Sequence, residues 1–319
     1  MPLKNWMGSL GPLLGLLGVY LFFAIAAPDS FRTGATLDTI ARQSAIVGIA
    51  ALGMTMVIIA GGIDLSVGSI VALSTVVIAL CIKSGVNPAL AAVVGVASGA
   101  LVGMATGSLV TRLKVAPFIV TLGMMLLIRG FTKGLAKQTK VDAPETWLTE
   151  LMAPLPVDRS WMIISPGVWM LVVLALLTAG VLRYTKLGRY LFAIGSNEQT
   201  ALLCGVRVSL VKLIVYIACG AFAGMAGVMQ FSRLTIGDPT VAVGLELNVI
   251  AAVVIGGGSL SGGEGSVLGT LVGALIMTVI RVGTTQMGLP SSVQEMVTGA
   301  IIVIAVAVDR WRHHRLAAS

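Results

Sequence analysis

Few side chains in this chain could do chemistry, and most of them stand in two segments that nearly repeat each other. Asp64 lies in VIIAGGIDLSVGSIVAL (57–73), between a double glycine and a Gly-Ser pair. Ser259, Ser261, Glu264 and Ser266 lie in VVIGGGSLSGGEGSVLGT (253–270), with the same order of apolar run, glycines, Leu-Ser and Gly-Ser. Glu246 and Asn248 open an apolar run just after Gly237-Asp238-Pro239. These groups do not add up to a catalytic constellation. Both histidines, His313 and His314, fall in the terminal tail, which excludes an H-E-x-x-H metal site, and no G-x-S-x-G occurs. The glycine-rich segment lacks the G-x-x-x-x-G-K-S/T pattern of a phosphate cradle and reads as a re-entrant turn. Cys81, Cys204 and Cys219 have no metal-ligand spacing and read as small apolar residues. The expectation is a non-enzymatic chain with no cofactor of its own.

Paired glycine-interrupted apolar segments are instead the sequence mark of a substrate site in a membrane transporter. A carboxylate within a bilayer costs about 2.5–3.5 kcal/mol on insertion scales, so Asp64 is a candidate for substrate or gating contact. An equally physical reading makes Asp64 or Ser66 the N-cap of a helix entering at Val67. The two roles are compatible, because unwound backbone survives in a membrane only where protein or a water-filled cavity satisfies it. Candidates for the substrate pathway are Gly62, Asp64, Ser66, Ser69, Thr121, Glu246, Asn248 and Ser259. Glu246 and Asn248 stand either solvated at a membrane edge or along the passage. Thr121 can meet a polar ligand or its own helix. Arg129, at the end of an apolar run, can snorkel to the interface.

The elements that must position these groups follow from composition. The chain is 57% hydrophobic, only 11% charged, and has a mean hydropathy of +1.00, against about 25% charged residues in soluble domains. Its charge collects in short connectors, so the fold class is an all-α polytopic membrane bundle. Spans of about 20 apolar residues fall near 10–27, 44–60, 66–82, 89–111, 117–135, 166–182, 210–231, 245–260, 266–283 and 293–309. That makes about ten, the two Gly-broken segments either crossing or re-entering. Lys4 and the apolar stretch to Ala27 resemble a signal peptide, but the stretch is long and more spans follow, so it reads as an uncleaved first helix.

The net charge of +8 comes without a basic patch interleaved with aromatics, so no nucleic-acid partner is expected. Arg183, Lys186, Arg189, Arg207 and Lys212 in the connector 183–212, with Arg112, Lys114, Lys4 and the tail Arg310, Arg312 and Arg315, mark the cytoplasmic side. The opposite loop, 136–165, mixes Lys137, Lys140 and Arg159 with Asp142, Glu145, Glu150 and Asp158. Both termini are then cytoplasmic, and 1–319 is one transmembrane domain. Gly95, Gly99, Gly103 and Gly107 share one helix face, as do Gly220 with Gly224 and Gly269 with Gly273; such stripes let helix backbones approach. In the connector, Ser196 or Asn197 can cap a short helix from Glu198 to Cys204, which Gly205 ends. Its apolar residues Ala201, Leu202 and Leu203 need cover, from the bundle or from a soluble partner.

The strings GGIDLSVGSIVAL (61–73), GRYLFAIGSNEQTALLCGVRV (188–208) and VIGGGSLSGGEGSVLGTLVGAL (254–275) together resemble the permease subunits of bacterial ABC importers for monosaccharides of the ribose, xylose and galactofuranose type. The likeness covers nearly the whole chain. It implies import of a monosaccharide across the bacterial inner membrane by a pair of permease chains, identical or homologous. It also implies two cytoplasmic ATPase subunits that bind the ATP and a periplasmic sugar-binding protein. The stretch Ser196–Gly205 then matches the coupling helix that seats in the ATPase, with Gly195, Ser196, Asn197, Glu198, Ala201 and Gly205 as its residues. Where such permeases often carry paired alanines, this chain has Thr200-Ala201-Leu202. The competing expectations are an ion-coupled secondary transporter using Asp64 or Glu246, and an ABC permease for a furanosyl signal molecule or a nucleoside.

Overall fold

A computed structural model describes residues 3–155 and 161–317, with side chains from 11 to 307; Lys4, Asp158, Arg159 and the basic tail from Asp309 lie outside the described side chains. The architecture is an all-α bundle. In chain order its helices are α1 (Leu3–Ala26), α2 (Gly34–Ile59), α3 (Val67–Lys83), α4 (Pro88–Leu113), α5 (Pro117–Leu135) and α6 (Pro166–Tyr184). They continue with α7 (Lys186–Ser196), α8 (Glu198–Leu203), α9 (Val208–Leu234), α10 (Leu245–Ile255), α11 (Val267–Gln286) and α12 (Ser291–Ala317). Each apolar run found in the sequence holds a helix, that of 245–260 ending early, at Ile255. Among the described residues, six helices, α2, α4, α5, α6, α9 and α11, are long and apolar enough to cross a membrane. Among the described residues four more apolar stretches are shorter: the helices α3 and α10, and the described parts 11–26 of α1 and 291–307 of α12. Glycines cut the chain where α3 and α10 would otherwise gain their missing turns.

Helix termini follow local chemistry. Pro88, Pro117 and Pro166 each open a helix, where the missing N–H is no loss. Gly61 and Gly257 leave their helix ends with φ of 75° and 92°, a left-handed backbone that disfavours any other residue.

Burial sorts the helices. The apolar stretch of α2 is 89% buried and that of α5 only 28%. Thus α2 is the central post, and α4, α5 and α6 turn residues such as Val93, Leu126 and Leu176 outward. Exposed apolar rows on that scale belong against lipid rather than water. The glycine stripes are packing faces, as their spacing implies. A Cβ on Gly99 or Gly103 of α4 would run into the Gly220 and Tyr216 carbonyls of α9, and one on Gly269 or Gly273 would strike the Gly256 and Ala252 carbonyls of α10. Buried hydroxyls add polar stitches: Thr55 of α2 and Thr270 of α11 lie 2.8 Å apart, and Ser74 Oγ donates to the Gly224 carbonyl at 3.0 Å. A second apolar cluster joins α1 to α11 through Phe23, Phe31, Ile276 and Ile280.

One small element was not legible from hydropathy. β1 (Val141–Asp142) pairs antiparallel with β2 (Ile236–Gly237), Val141 opposite Gly237. This ladder ties the 136–165 loop to the α9–α10 turn and marks one end of the bundle, called here the hairpin end. The connector helices α7 and α8 mark the other.

Candidate functional site

The polar residues of the sequence separate into three groups stacked along the bundle. The first lies at the connector end, where the two Gly-broken segments meet. Gly263 N donates to the Ile59 carbonyl at 2.9 Å, joining the second break to the last turn of α2. Gly195 of α7 sits against both: a Cβ there would strike the Ile59 carbonyl and Gly263 N. Gly262 in turn approaches Gly195 and Gly61, each within about 3.0 Å of where its own Cβ would stand. The side-chain-free positions of three separate segments are thus one contact. Ser259 is buried in this knot, its carbonyl accepting from Gly262 N at 3.0 Å and its hydroxyl from Ser261 N at 3.2 Å. Ser266 caps α11 by accepting from Gly269 N at 3.1 Å.

The connector has the short helix that the sequence implies. Asn197, not Ser196, caps it, Oδ1 accepting from Thr200 N at 2.8 Å, and Gly205 follows with φ of 82°. Ser196 is the last residue of α7, a helix the sequence reading did not separate out. Ala201 is turned inward, whereas Leu202 is 57% and Leu203 88% exposed. Glu198 pairs with Lys212 at 2.7 Å, fixing α8 to the start of α9.

The second group lies deeper, where the helix N-termini of α3 and α10 meet. Asp64 is wholly buried. Its Oδ1 accepts from Ser66 N at 2.9 Å and Ser66 Oγ at 2.6 Å, and its Oδ2 has no hydrogen-bond partner among the described residues. Asp64 therefore shapes the turn before α3 rather than capping the N–H groups of the helix itself, and Ser66 makes no side-chain cap bond. Tyr216 and Cys219 of α9 face the same carboxylate. Gly62 leaves room for the Tyr216 hydroxyl, which would lie 2.8 Å from a Cβ. Ser69 Oγ donates to the Met125 carbonyl at 2.8 Å, binding α3 to α5.

Glu246, in the first turn of α10, is only 8% exposed. Its Oε1 accepts from Gly244 N at 3.2 Å, and its Oε2 lies against Gly68, without a hydrogen-bond partner among the described residues. Gly68 is needed there, since a Cβ would overlap that oxygen. Arg129 does not snorkel. Its Nη1 donates to the Pro239 and Val241 carbonyls at 3.1 and 2.6 Å, clamping the turn that leads into α10. Thr121 is buried and its hydroxyl goes to its own helix, donating to the Phe118 carbonyl at 3.2 Å. Hydropathy could not show the clamp, because its acceptors lie 110 and 112 residues away.

The third group lies toward the hairpin end, in a cavity of about 90 Å³. Asn248 reaches it, together with Gln43, Gln230, Arg233, Thr278 and Arg281, on a base of Ile46, Val47 and Met277. Apart from Asn248, none of these polar residues was singled out in the sequence. Gln230 and Arg233 lie three apart on α9, as do Thr278 and Arg281 on α11, but only the packing of α2, α9, α10 and α11 brings these pairs together with Gln43 and Asn248. Beside the hairpin, Asp238 accepts from Thr240 N and Oγ1 at 2.8 and 2.6 Å and faces Lys140 at 3.6 Å. Burial raises that carboxyl, but Thr240 and Lys140 outweigh burial and hold it below the usual carboxylate range. No group of three His, Cys, Asp or Glu side chains among the described residues could hold a metal.

A family model described as branched-chain amino acid transport system / permease component matches residues 36–306. The ribose import permease of Escherichia coli is 39% identical over 306 residues, 96% of this chain and 95% of that protein. The ribose import permease of Bacillus subtilis is 42% identical over 305 residues, covering 95% and 93%. The fructose import permease of Rhizobium meliloti is 36% identical over 310 residues, covering 94% and 84%. No solved structure matches.

Proposed function

This chain belongs to the permease family of branched-chain amino acid transport systems, and from that membership we propose that it is the membrane permease subunit of an ATP-driven importer carrying a monosaccharide into the cytoplasm. Permeases named for ribose and fructose import, alike over nearly the full length, support the sugar as cargo. The chain conducts rather than catalyses: ATP is bound and hydrolysed on a separate ATPase subunit. A second permease chain completes the pathway, and a periplasmic sugar-binding protein delivers the cargo at the hairpin end. All ten apolar helices make up one permease domain, the shorter α3 and α10 with their glycine breaks counting as broken spans. The basic connector 183–212 and both termini face the cytoplasm.

One observation supports the mechanism most directly: Gly195 of the connector touches both Gly-broken segments at once. Helices α7 and α8 are the lever. When the ATPases close, the lever moves, and Ile59 and Gly263 move with it, since they are bonded to each other and packed on Gly195. The breaks pass that motion to α3 and α10, whose N-termini carry Asp64 and Glu246. A nucleotide can shift such an equilibrium only through its different affinity for the two states. With no nucleotide motif in this chain, the energy enters through the lever. Gly62, Ser66, Ser69, Thr121 and Ser259 then shape the moving segments, and Asp64, Glu246 and Asn248 lie along the route the sugar takes.

The test is copurification of an ATPase with the permease, comparing Leu203→Asp with the parent chain. Leu203 is the most exposed apolar residue of the lever and supports no internal contact, unlike Glu198, whose replacement would also break the pair with Lys212. The expected result is an ATPase bound to the parent and lost from the variant, with the permease still folded. Uptake that persists without any ATPase and collapses with an uncoupler overturns the reading in favour of an ion-coupled carrier.

A further inference from the structure

The cavity at the hairpin end has a charge that a neutral sugar does not require. Its polar lining is three amides (Gln43, Gln230 and Asn248), one hydroxyl (Thr278) and two guanidiniums (Arg233 and Arg281), without a carboxylate. Amides and hydroxyls suit sugar hydroxyls. The arginines ask for something more. Arg281 and Arg42 are the like charges acting on Arg233. Of the three, only Arg42 is neutralised, by Asp38 at 2.9 Å, while a second nitrogen donates to the Met152 carbonyl. Arg233 and Arg281 have neither an ion pair nor a side-chain hydrogen bond among the described residues. Glu246, two residues before Asn248, is turned onto Gly68 and the Gly244 N–H. Two guanidiniums that line one cavity, neither paired to a carboxylate among the described residues, form a standing attraction for an anion.

Resting on the sugar-importer reading, we infer that the cargo of this permease is an anionic sugar, a polyhydroxylated carboxylate or a sugar phosphate. Arg233 and Arg281 receive its charged group, and Gln43, Gln230, Asn248 and Thr278 its hydroxyls. The planar guanidinium fork matches both carboxylate and phosphate, so either source of charge satisfies the geometry. In a pair of permease chains the number of such forks doubles, and the field at the mouth draws anions in from solution.

The experiment uses the complete importer, this permease with its cognate ATPase and binding protein, in proteoliposomes. ATP-driven uptake is measured for ribonate, galacturonate and ribose phosphate beside neutral ribose and galactose. The expected result is uptake of an anionic sugar. That uptake falls about tenfold or more in Arg281→Gln, the weight of a charged hydrogen bond, and is largely kept in Arg281→Lys. Whether the carboxylates or the phosphate are carried identifies the source of the charge. Uptake of a neutral sugar alone, undisturbed by Arg281→Gln, overturns the inference and leaves the sugar-importer reading standing. A fall that is equal for neutral and anionic sugars also overturns it, because it assigns the arginines to docking of the binding protein. If none of the five compounds is carried although the ATPase binds, the inference falls and only the permease role survives. Failure of the ATPase to bind removes the underlying reading instead.

Discussion

Asp64 has one carboxylate oxygen committed to Ser66 and one without a partner, inside a segment where every apolar neighbour would be cheaper to bury. Asparagine can keep the committed oxygen, since its own Oδ1 accepts the same two bonds, while removing the charge. Asp64→Asn is therefore expected to unfold within a few degrees of the parent, since both bonds to Ser66 survive, but to lose most of its uptake, since a carboxyl within a membrane segment is placed for function. Asp64→Leu is expected to lose stability as well, by about 1–3 kcal/mol, since it leaves the buried Ser66 N–H without an acceptor. Thermal unfolding beside uptake in the same preparation separates the two effects; full uptake by Asp64→Asn would reduce the carboxylate to a turn former. Glu246 shares this design, one oxygen on Gly244 N and the other facing Gly68. The sequence marks Asp64 as a costly acid within the membrane and leaves Glu246 either at its edge or along the passage. It could not say that Asp64 sits in the turn before α3 and Glu246 in the first turn of α10, because that depends on where the chain stops being helical.

At the level of elements, the glycines fall into two kinds that sequence spacing alone does not separate. Those on the facing sides of α4 and α9 are pressed against backbone, whereas Gly123 and Gly130 of α5 have open space around them. Gly103→Ala is expected to cost about 1–3 kcal/mol by overpacking against the Tyr216 carbonyl. Gly123→Ala is expected to be neutral or slightly stabilising, as alanine is the better helix former and meets nothing. Denaturation of the two variants side by side in detergent checks the contrast, and an equal loss in both would refute the packing assignment. The four-residue period was enough to forecast close helix packing, since residues four apart must share a face. The choice of partner was not, and the knot of Gly195, Gly262 and Ile59 joins segments far apart along the chain.

Taken whole, the molecule is polarised: a basic connector end where the glycine breaks converge, and a hairpin end with a cavity lined by amides and arginines. Cys204 is exposed on the connector and Cys219 buried, so the chain carries its own reporter of sidedness. In a Cys81→Ser background, a membrane-impermeant maleimide is expected to label Cys204 in inverted vesicles and not in intact cells. A cysteine placed at Gln138, near the hairpin, is expected to do the reverse. Labelling of Cys204 from outside would invert the topology and with it the direction of transport.

Hydropathy determined the all-helical membrane class and the helical runs, and the three strings at 61–73, 188–208 and 254–275 the family, because long apolar helices and local turn chemistry are written in contiguous residues. The short helix from Glu198 and the Gly205 that follows it belong to that local class as well, whereas the choice of Asn197 over Ser196 as its cap came from the structure. What only the tertiary structure decided is which lone polar groups meet. Arg129 clamps two carbonyls beyond the reach of any sequence window, and Arg233 and Arg281 share a cavity with Gln43 from three different helices. The physical reason is that in an apolar bundle every helix presents nearly the same surface, so the choice of neighbours rests on small glycine-lined fits that only the assembled packing reveals.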